Sequence, residues 1–277
     1  RPPQSSQRRS IFLGNIVAKR PQQFAAKQPR KRFGQNFLTD AGVINRIERA
    51  ISPRQGDHLV EIGPGRGALT EALVESGCRL DAIELDRDLR TPLLAAFSVH
   101  PNFTLHSADA LTFDYRTLVG EAPGNGVLRI VGNLPYNIST PLIFHLLDAA
   151  AVVEDMHFML QLEVVQRLTA APGDRHWGRL AIMSQFRCEA EALFEVPPEA
   201  FEPPPKVQSA VVRLTPHPAP RWPEIDAGTL ARVVKLAFSQ RRKTLRNTLK
   251  PVFSEAEIAE VDIDPGARAE TLDMAAY

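Results

Sequence analysis

Only two cysteines occur in the 277 residues, Cys78 and Cys188, and they form no CxxC pair. Their scarcity argues against a disulfide scaffold and a cysteine-built zinc site, and it fits a reducing compartment. No apolar run approaches the roughly 20 residues that a membrane-spanning helix needs. Residues 1–36 contain neither Asp nor Glu. They hold nine Lys or Arg, leaving 24 basic against 32 acidic side chains in residues 37–277. The overall charge of +1 therefore combines a basic leader with an acidic body. A nucleic-acid partner must be drawn by local patches, because the global charge is too small.

What is present is ordinary globular composition, 44% hydrophobic and 23% charged. That suffices for one large core, or for a large and a small domain. Residues 1–28 are rich in Pro, Gln, Ser and Arg and are expected to lack fixed structure. Three readings of this leader stay open: a segment without catalytic role, a nucleic-acid arm, and an organellar transit peptide.

Through the middle of the chain, apolar runs alternate with helical spacing. Strands are expected at 58–63, 79–86, 103–109, 127–133 and 155–162, with helices at 68–77 and 163–171. Residues 183–196 and 209–216 read as a late antiparallel pair. This alternation predicts an α/β fold, a mostly parallel twisted sheet with helices on both faces. Such sheets bind ligands beyond the carboxyl ends of their strands. The Pro-rich stretch "PHPAPRWP" (216–223) marks a boundary. The expected domains are 29–217 and a small all-helical unit over 218–277.

"VEIGPGRGALTEAL" (60–73) places Gly63, Gly65 and Gly67 between a strand and a helix. Glycines there permit a tight turn and close approach of the backbone to a ligand. The spacing is G-x-G-x-G, not the dinucleotide G-x-G-x-x-G, and no Lys follows to cradle a triphosphate. A nucleoside without phosphates suits such a loop. Glu84, at the next strand end, can accept both hydroxyls of a ribose. Asp109, at the third, can accept an adenine amino group. Together these features resemble the S-adenosylmethionine-dependent methyltransferases, whose Rossmann-like fold the alternation matches. A nicotinamide enzyme is the rival for the fold, and it would need a pyrophosphate seat.

The fourth strand ends in Asn133-Leu134-Pro135-Tyr136. Alone, these residues make a turn and a core ring. In this place they resemble the [N/D/S]-x-P-[Y/F] motif of enzymes that methylate exocyclic amines of bases. The residue types suit that chemistry. An adenine amine is a poor nucleophile, because its lone pair is delocalised into the ring. The Asn133 oxygen and the Leu134 carbonyl can each accept one N–H and turn the lone pair outward. Pro135 stiffens that backbone, and Tyr136 can stack on the base, worth about 1–3 kcal/mol. Asn137 and Ser139 read as caps of the next helix.

Further segments narrow the resemblance: "KRFGQNFLTD" (31–40), "NLPYNISTPLIFHLL" (133–147), "LFEVPPEAFEPPPKVQSAVVRL" (193–214), "AFSQRRKTLRNTL" (237–249) and "DIDPGARAETL" (262–272). From about residue 30 onward the chain resembles the ribosomal RNA small-subunit adenine dimethyltransferase family. The resemblance implies N6,N6-dimethylation of two neighbouring adenosines near the 3′ end of small-subunit ribosomal RNA, with S-adenosylmethionine as donor and no metal. It implies a cytoplasmic monomer acting on a 30S-type precursor particle, with organellar import as the lesser reading. It assigns Asn36, Leu38, Gly63, Gly65, Glu84, Asp109 and Asn133 to the cofactor. Asn133, Leu134 and Tyr136 fall to catalysis, and Pro135 and Phe201 to the flipped-out adenine. Leu162 stands where the family usually has Lys.

Arg242, Arg246 and Lys250, spaced i, i+4, i+8, are expected to form one basic helical face for RNA phosphates, with Arg241 and Lys243 beside it. Two other functions stay in view. One is a large-subunit adenine methyltransferase of the antibiotic-resistance type. The other is a ribosome-assembly or transcription factor that uses the fold for binding.

Overall fold

The computed structural model describes residues 36–119 and 128–277. The expected leader (1–28), and Val127 of the expected fourth strand, lie outside these residues.

Nine strands and nine α-helices follow in chain order among the described residues. They are β1 (Phe37–Leu38), α1 (Ala41–Ile51), β2 (His58–Ile62), α2 (Ala68–Glu75), β3 (Arg79–Ile83) and α3 (Arg87–Phe97). Next come β4 (Phe103–His106), β5 (Leu128–Asn133), α4 (Ser139–Asp148), β6 (Val153–Gln161), α5 (Leu162–Leu168) and α6 (Arg179–Gln185). The chain continues through β7 (Cys188–Val196), β8 (Phe201–Glu202), β9 (Ser209–Pro216), α7 (Ala227–Ala237), α8 (Leu245–Thr248) and α9 (Glu255–Glu260).

Local chemistry accounts for the boundaries near the site. Asp40 caps α1 by accepting from Val43 N at 2.8 Å, and Val43, Ile47 and Ile51 make its buried stripe at i, i+4, i+8. Asp86 caps α3 through Asp88 N. The central strands are apolar on both faces, as expected of a sheet covered on each side. Leu59, Val60, Leu80, Ala82, Ile130 and Val131 are all fully buried.

Seven strands pair in the order β4-β3-β2-β5-β6-β9-β7. The first five run parallel, while β9 is antiparallel to both β6 and β7. The Rossmann-like α/β expectation holds. The direction of strand addition reverses between β2 and β5, and a crevice opens there beyond the strand ends. A separate two-stranded clasp joins β1 to β8, with Phe37 opposite Glu202 and Leu38 opposite Phe201.

Three expectations are corrected. The late pair is antiparallel, but β9 inserts between β6 and β7, and residues 183–185 belong to α6. Strand β3 stops at Ile83, so Glu84 and Asp86 sit in the loop after it. Residues 239–250 do not form one helix. Helix α7 ends at Ala237, turns follow, and α8 covers only Leu245–Thr248. Thr244 bridges to Arg268 at that break. Arg242 and Arg246 therefore share no helical face.

The helices after residue 218 do not pack in isolation. Leu230 and Val234 of α7 share a buried cluster with Trp177, Ala181 and Ile182. Trp177 Nε1 also donates to the Leu272 carbonyl at 2.9 Å.

Candidate active site

The strand ends converge on a cavity of about 370 Å³, within the size range of small-molecule sites. Its lining includes Asn36, Leu38, Gly63, Gly65, Glu84, Asp109, Asn133 and Pro135. Each of the seven residues assigned to the cofactor from sequence thus reaches one space, although they lie up to 97 positions apart.

The floor is the turn after β2. Gly63, Gly65 and Gly67 all have positive φ, 65°, 60° and 82°, which only glycine adopts without strain. At Gly67 a Cβ would also meet the Phe97 ring at 2.5 Å. This loop carries its backbone against Glu84, whose Oε2 accepts from Gly65 N at 3.4 Å, while Oε1 accepts from Asp86 N at 2.7 Å. Burial raises the Glu84 pKa, opposed by these two backbone donors. Asp109 ends the loop after β4, and its Oδ1 accepts from Leu111 N at 2.9 Å. An acidic acceptor therefore stands at each of two adjacent strand ends, an acceptor pair that fits the hydroxyls of a ribose and the amino group of an adenine.

The opposite wall is the end of β5. Gly132 lies so close to β2 that a Cβ would come within 2.6 Å of the Ile62 carbonyl. Asn133 follows, and its Nδ2 donates to the Asn36 carbonyl at 3.1 Å. A carbonyl can only accept, so this bond fixes which way the amide points. Leu134 N donates to the Met159 carbonyl at 3.2 Å, which holds the next peptide in place. The Leu134 side chain is buried in the core, and Leu134 is not part of the cavity lining.

Tyr136 is half-buried beside the cavity and not part of its lining, with its hydroxyl 3.1 Å from Ser209 Oγ. Phe201 is the clearest departure. It is 4% exposed and packs in a core cluster with Leu38, Val196 and Val211. It presents no free face to the cavity in this arrangement. Neither Asn137 nor Ser139 caps α4 through its side chain. The cap position is Ile138, and Ser139 Oγ donates to the Tyr136 carbonyl instead. Neither Arg242, in the turn between α7 and α8, nor Arg246, on α8, lines the cavity, and Arg246 is 3.8 Å from Glu255.

Glu61 and His157 are lining residues that the sequence did not single out. Glu61, in "VEIGPG", is 2% exposed and accepts from Thr70 Oγ1 at 2.6 Å. Burial, with the neighbouring Glu84 charge adding to it against the Thr70 bond, raises its pKa to about 7. His157 of β6 is 3% exposed. Among the described residues neither of its ring nitrogens has a hydrogen-bond partner, and burial lowers its pKa to about 4. An acidic residue just before the glycines was the available signal for Glu61. His157 gave none, because one polar residue in an apolar strand does not reveal what it faces.

Among the described residues no cluster of His, Cys, Asp or Glu is arranged to hold a metal ion, and no helix is long and apolar enough to cross a membrane.

Comparison with known proteins gives a consistent result. Residues 26–277 match the family model described as ribosomal RNA adenine dimethylase. Ribosomal RNA small subunit methyltransferase A of Pseudomonas aeruginosa is 61% identical over 248 residues, 90% of this chain and 91% of that protein. The protein of the same name from Chromohalobacter salexigens is 55% identical over 251 residues, 90% and 89% of the two chains. Among solved structures, the 23S ribosomal RNA methyltransferase ErmE superposes with a TM-score of 0.67 at 27% identity, covering 87% of this chain and 96% of that one. A dimethyladenosine transferase from Plasmodium falciparum gives 0.71 at 24% identity, covering 86% and 94%, and supports the fold.

Proposed function

The chain belongs to the ribosomal RNA adenine dimethylase family, and from that premise we propose that it methylates N6 of two neighbouring adenosines near the 3′ end of small-subunit ribosomal RNA, giving N6,N6-dimethyladenosines. The carrying observation is the Asn133 amide, held at the cavity wall with its nitrogen on the Asn36 carbonyl. That leaves Oδ1 as the acceptor on the cavity side.

When bound, S-adenosylmethionine would supply an electrophilic methyl group on a sulfonium. Glu84 would hold the ribose hydroxyls and Asp109 the adenine amine, with Gly63, Gly65, Asn36 and Leu38 completing the walls that would hold the methionine part. For the substrate, Asn133 Oδ1 and the Leu134 carbonyl each take one N–H of the target amine. This pulls the nitrogen toward tetrahedral geometry and aims its lone pair. Pro135 keeps the two acceptors in register, and Tyr136 stacks on the base. Alignment of this kind contributes roughly 7–11 kcal/mol. Asn133 has no basic lone pair of use, so the leaving proton goes to water.

Base edges are hidden in duplex RNA, so loop adenosines within a small-subunit precursor particle are the proposed substrate. Arg242, in the turn between α7 and α8, and Arg246, on α8, are proposed phosphate contacts. We assign the enzyme to the cytoplasm as a monomer.

Identities of 55–61% to small-subunit enzymes against 27% to ErmE favour the small-subunit reading over the large-subunit one. The test is to incubate unmodified small and large ribosomal subunits with the protein and labelled donor, then map the modified bases. Paired dimethyladenosines in the small subunit support the proposal. Label confined to the large subunit, or none in either, overturns it.

A further inference from the structure

Arg66, inside the glycine loop, reaches away from that loop to both strands of the β1–β8 clasp. Its guanidinium carbon lies 4.3 Å from the centre of the Phe37 ring. Its Nη1 is 3.4 Å from Glu202 Oε2. Phe37 and Glu202 are register partners across the clasp, so one cation grips both strands at the same rung. The Phe37 ring also rests on the loop itself, where a Cβ on Gly65 would meet it at 3.2 Å. One residue before Phe37, the Asn36 carbonyl holds the Asn133 amide. One residue before Arg66, Gly65 N meets Glu84. The contacts thus run without a gap from the ribose-side carboxylate to the amine-side amide.

We propose that Arg66 is a positioning residue that locks the β1–β8 clasp onto the glycine loop, so that cofactor seated on the loop and the Asn133 amide are held as one unit. The inference deepens the proposed function and rests on it for the role of Asn133. The ion pair with Glu202 is open on the Glu202 side, with 21% and 66% of the Arg66 and Glu202 side chains accessible. A pair of that kind adds little to global stability. Its effect is local, on a two-residue clasp that Thr39 and Asp40 also tie to the Ala200 carbonyl. The cation–ring contact adds to it where the ring is buried. Phe37 is 7% exposed.

The test uses the full chain and the variants Arg66→Leu, Arg66→Lys and Glu202→Gln. Hydrogen exchange of the amides at 36–40 and affinity for S-adenosylhomocysteine are measured without RNA. Methyl transfer to unmodified small subunits is then split into kcat and cofactor KM. For Arg66→Leu, exchange at 36–40 should accelerate and S-adenosylhomocysteine affinity should fall, each about fivefold or more. The melting temperature should stay near that of the parent. Glu202→Gln should move both in the same direction by less, and Arg66→Lys should restore most of each. Parent-like exchange or parent-like affinity in Arg66→Leu overturns the proposal, as does an equal loss in Arg66→Lys. If Arg66→Leu does not fold, Glu202→Gln carries the decision alone. The first two readouts need no RNA, so failure of the proposed reaction leaves them interpretable.

Discussion

Asn133 Nδ2 donates to the main-chain carbonyl of Asn36 at 3.1 Å. The bond joins the end of β5 to the residue that precedes β1, 97 positions earlier. It decides the chemistry available at the cavity wall. With the amide nitrogen committed to a carbonyl, the oxygen is the atom left to receive an amine. A carboxamide free to flip would present a donor half the time and would repel the same N–H.

Glu61 predicts a pH signature. Its pKa stands at about 7 in the folded protein against an ordinary 4.5. Between those values the folded chain keeps a proton that the unfolded chain has lost. Stability therefore falls as pH rises through that window, by on the order of 3 kcal/mol in total. Glu61→Gln removes the ionisation and can still accept from Thr70. Relative to the parent, the variant should gain stability between pH 5 and pH 8 in urea denaturation. A difference that does not change with pH would contradict the assignment.

Gly132→Ala should be costly to both fold and activity. The new Cβ falls 2.6 Å from the Ile62 carbonyl, a backbone atom that cannot swing aside. Strand β5 must shift from β2, at about 1–3 kcal/mol for an overpacked site. Asn133 moves with it. A lower melting temperature together with slower methyl transfer is expected.

Much of this was legible beforehand, and the failures have physical causes. The central strands announce themselves because both faces are covered, which makes them nearly continuous apolar runs. The ends of those runs carry Gly63, Glu84, Asp109 and Asn133, so most of the cavity wall could be named. The position of β9 could not be read, because strand order depends on pairing between distant segments. The basic face over 242–250 failed because i, i+4 spacing describes a helix only where the backbone stays helical, and the Thr244–Arg268 bridge interrupts it. The burial of Phe201 could not be read either, because it comes from Leu38, its partner across the clasp, in the same core cluster.

Arg242 and Arg246 still offer an electrostatic prediction without the shared face. Both are exposed, and the Arg246 contact to Glu255 is too long and open to matter for stability. Reversing both to Glu should weaken binding of unmodified small subunits at moderate salt and flatten its salt dependence. S-adenosylhomocysteine affinity, measured by calorimetry, should stay as in the parent. Unchanged particle binding would remove these arginines from the RNA surface.

The central claim, that Asn133 grips the target amine, is tested most directly by Asn133→Ala under single-turnover conditions, with cofactor affinity measured in parallel. The account predicts a fall in methyl transfer of about 10²–10³-fold, the scale seen when one preorganised transition-state hydrogen bond is removed. Cofactor should bind at most moderately weaker, and the melting temperature should be close to that of the parent. Methyl transfer at the parent rate, or a variant that fails to fold, would contradict it and return Asn133 to a purely structural role.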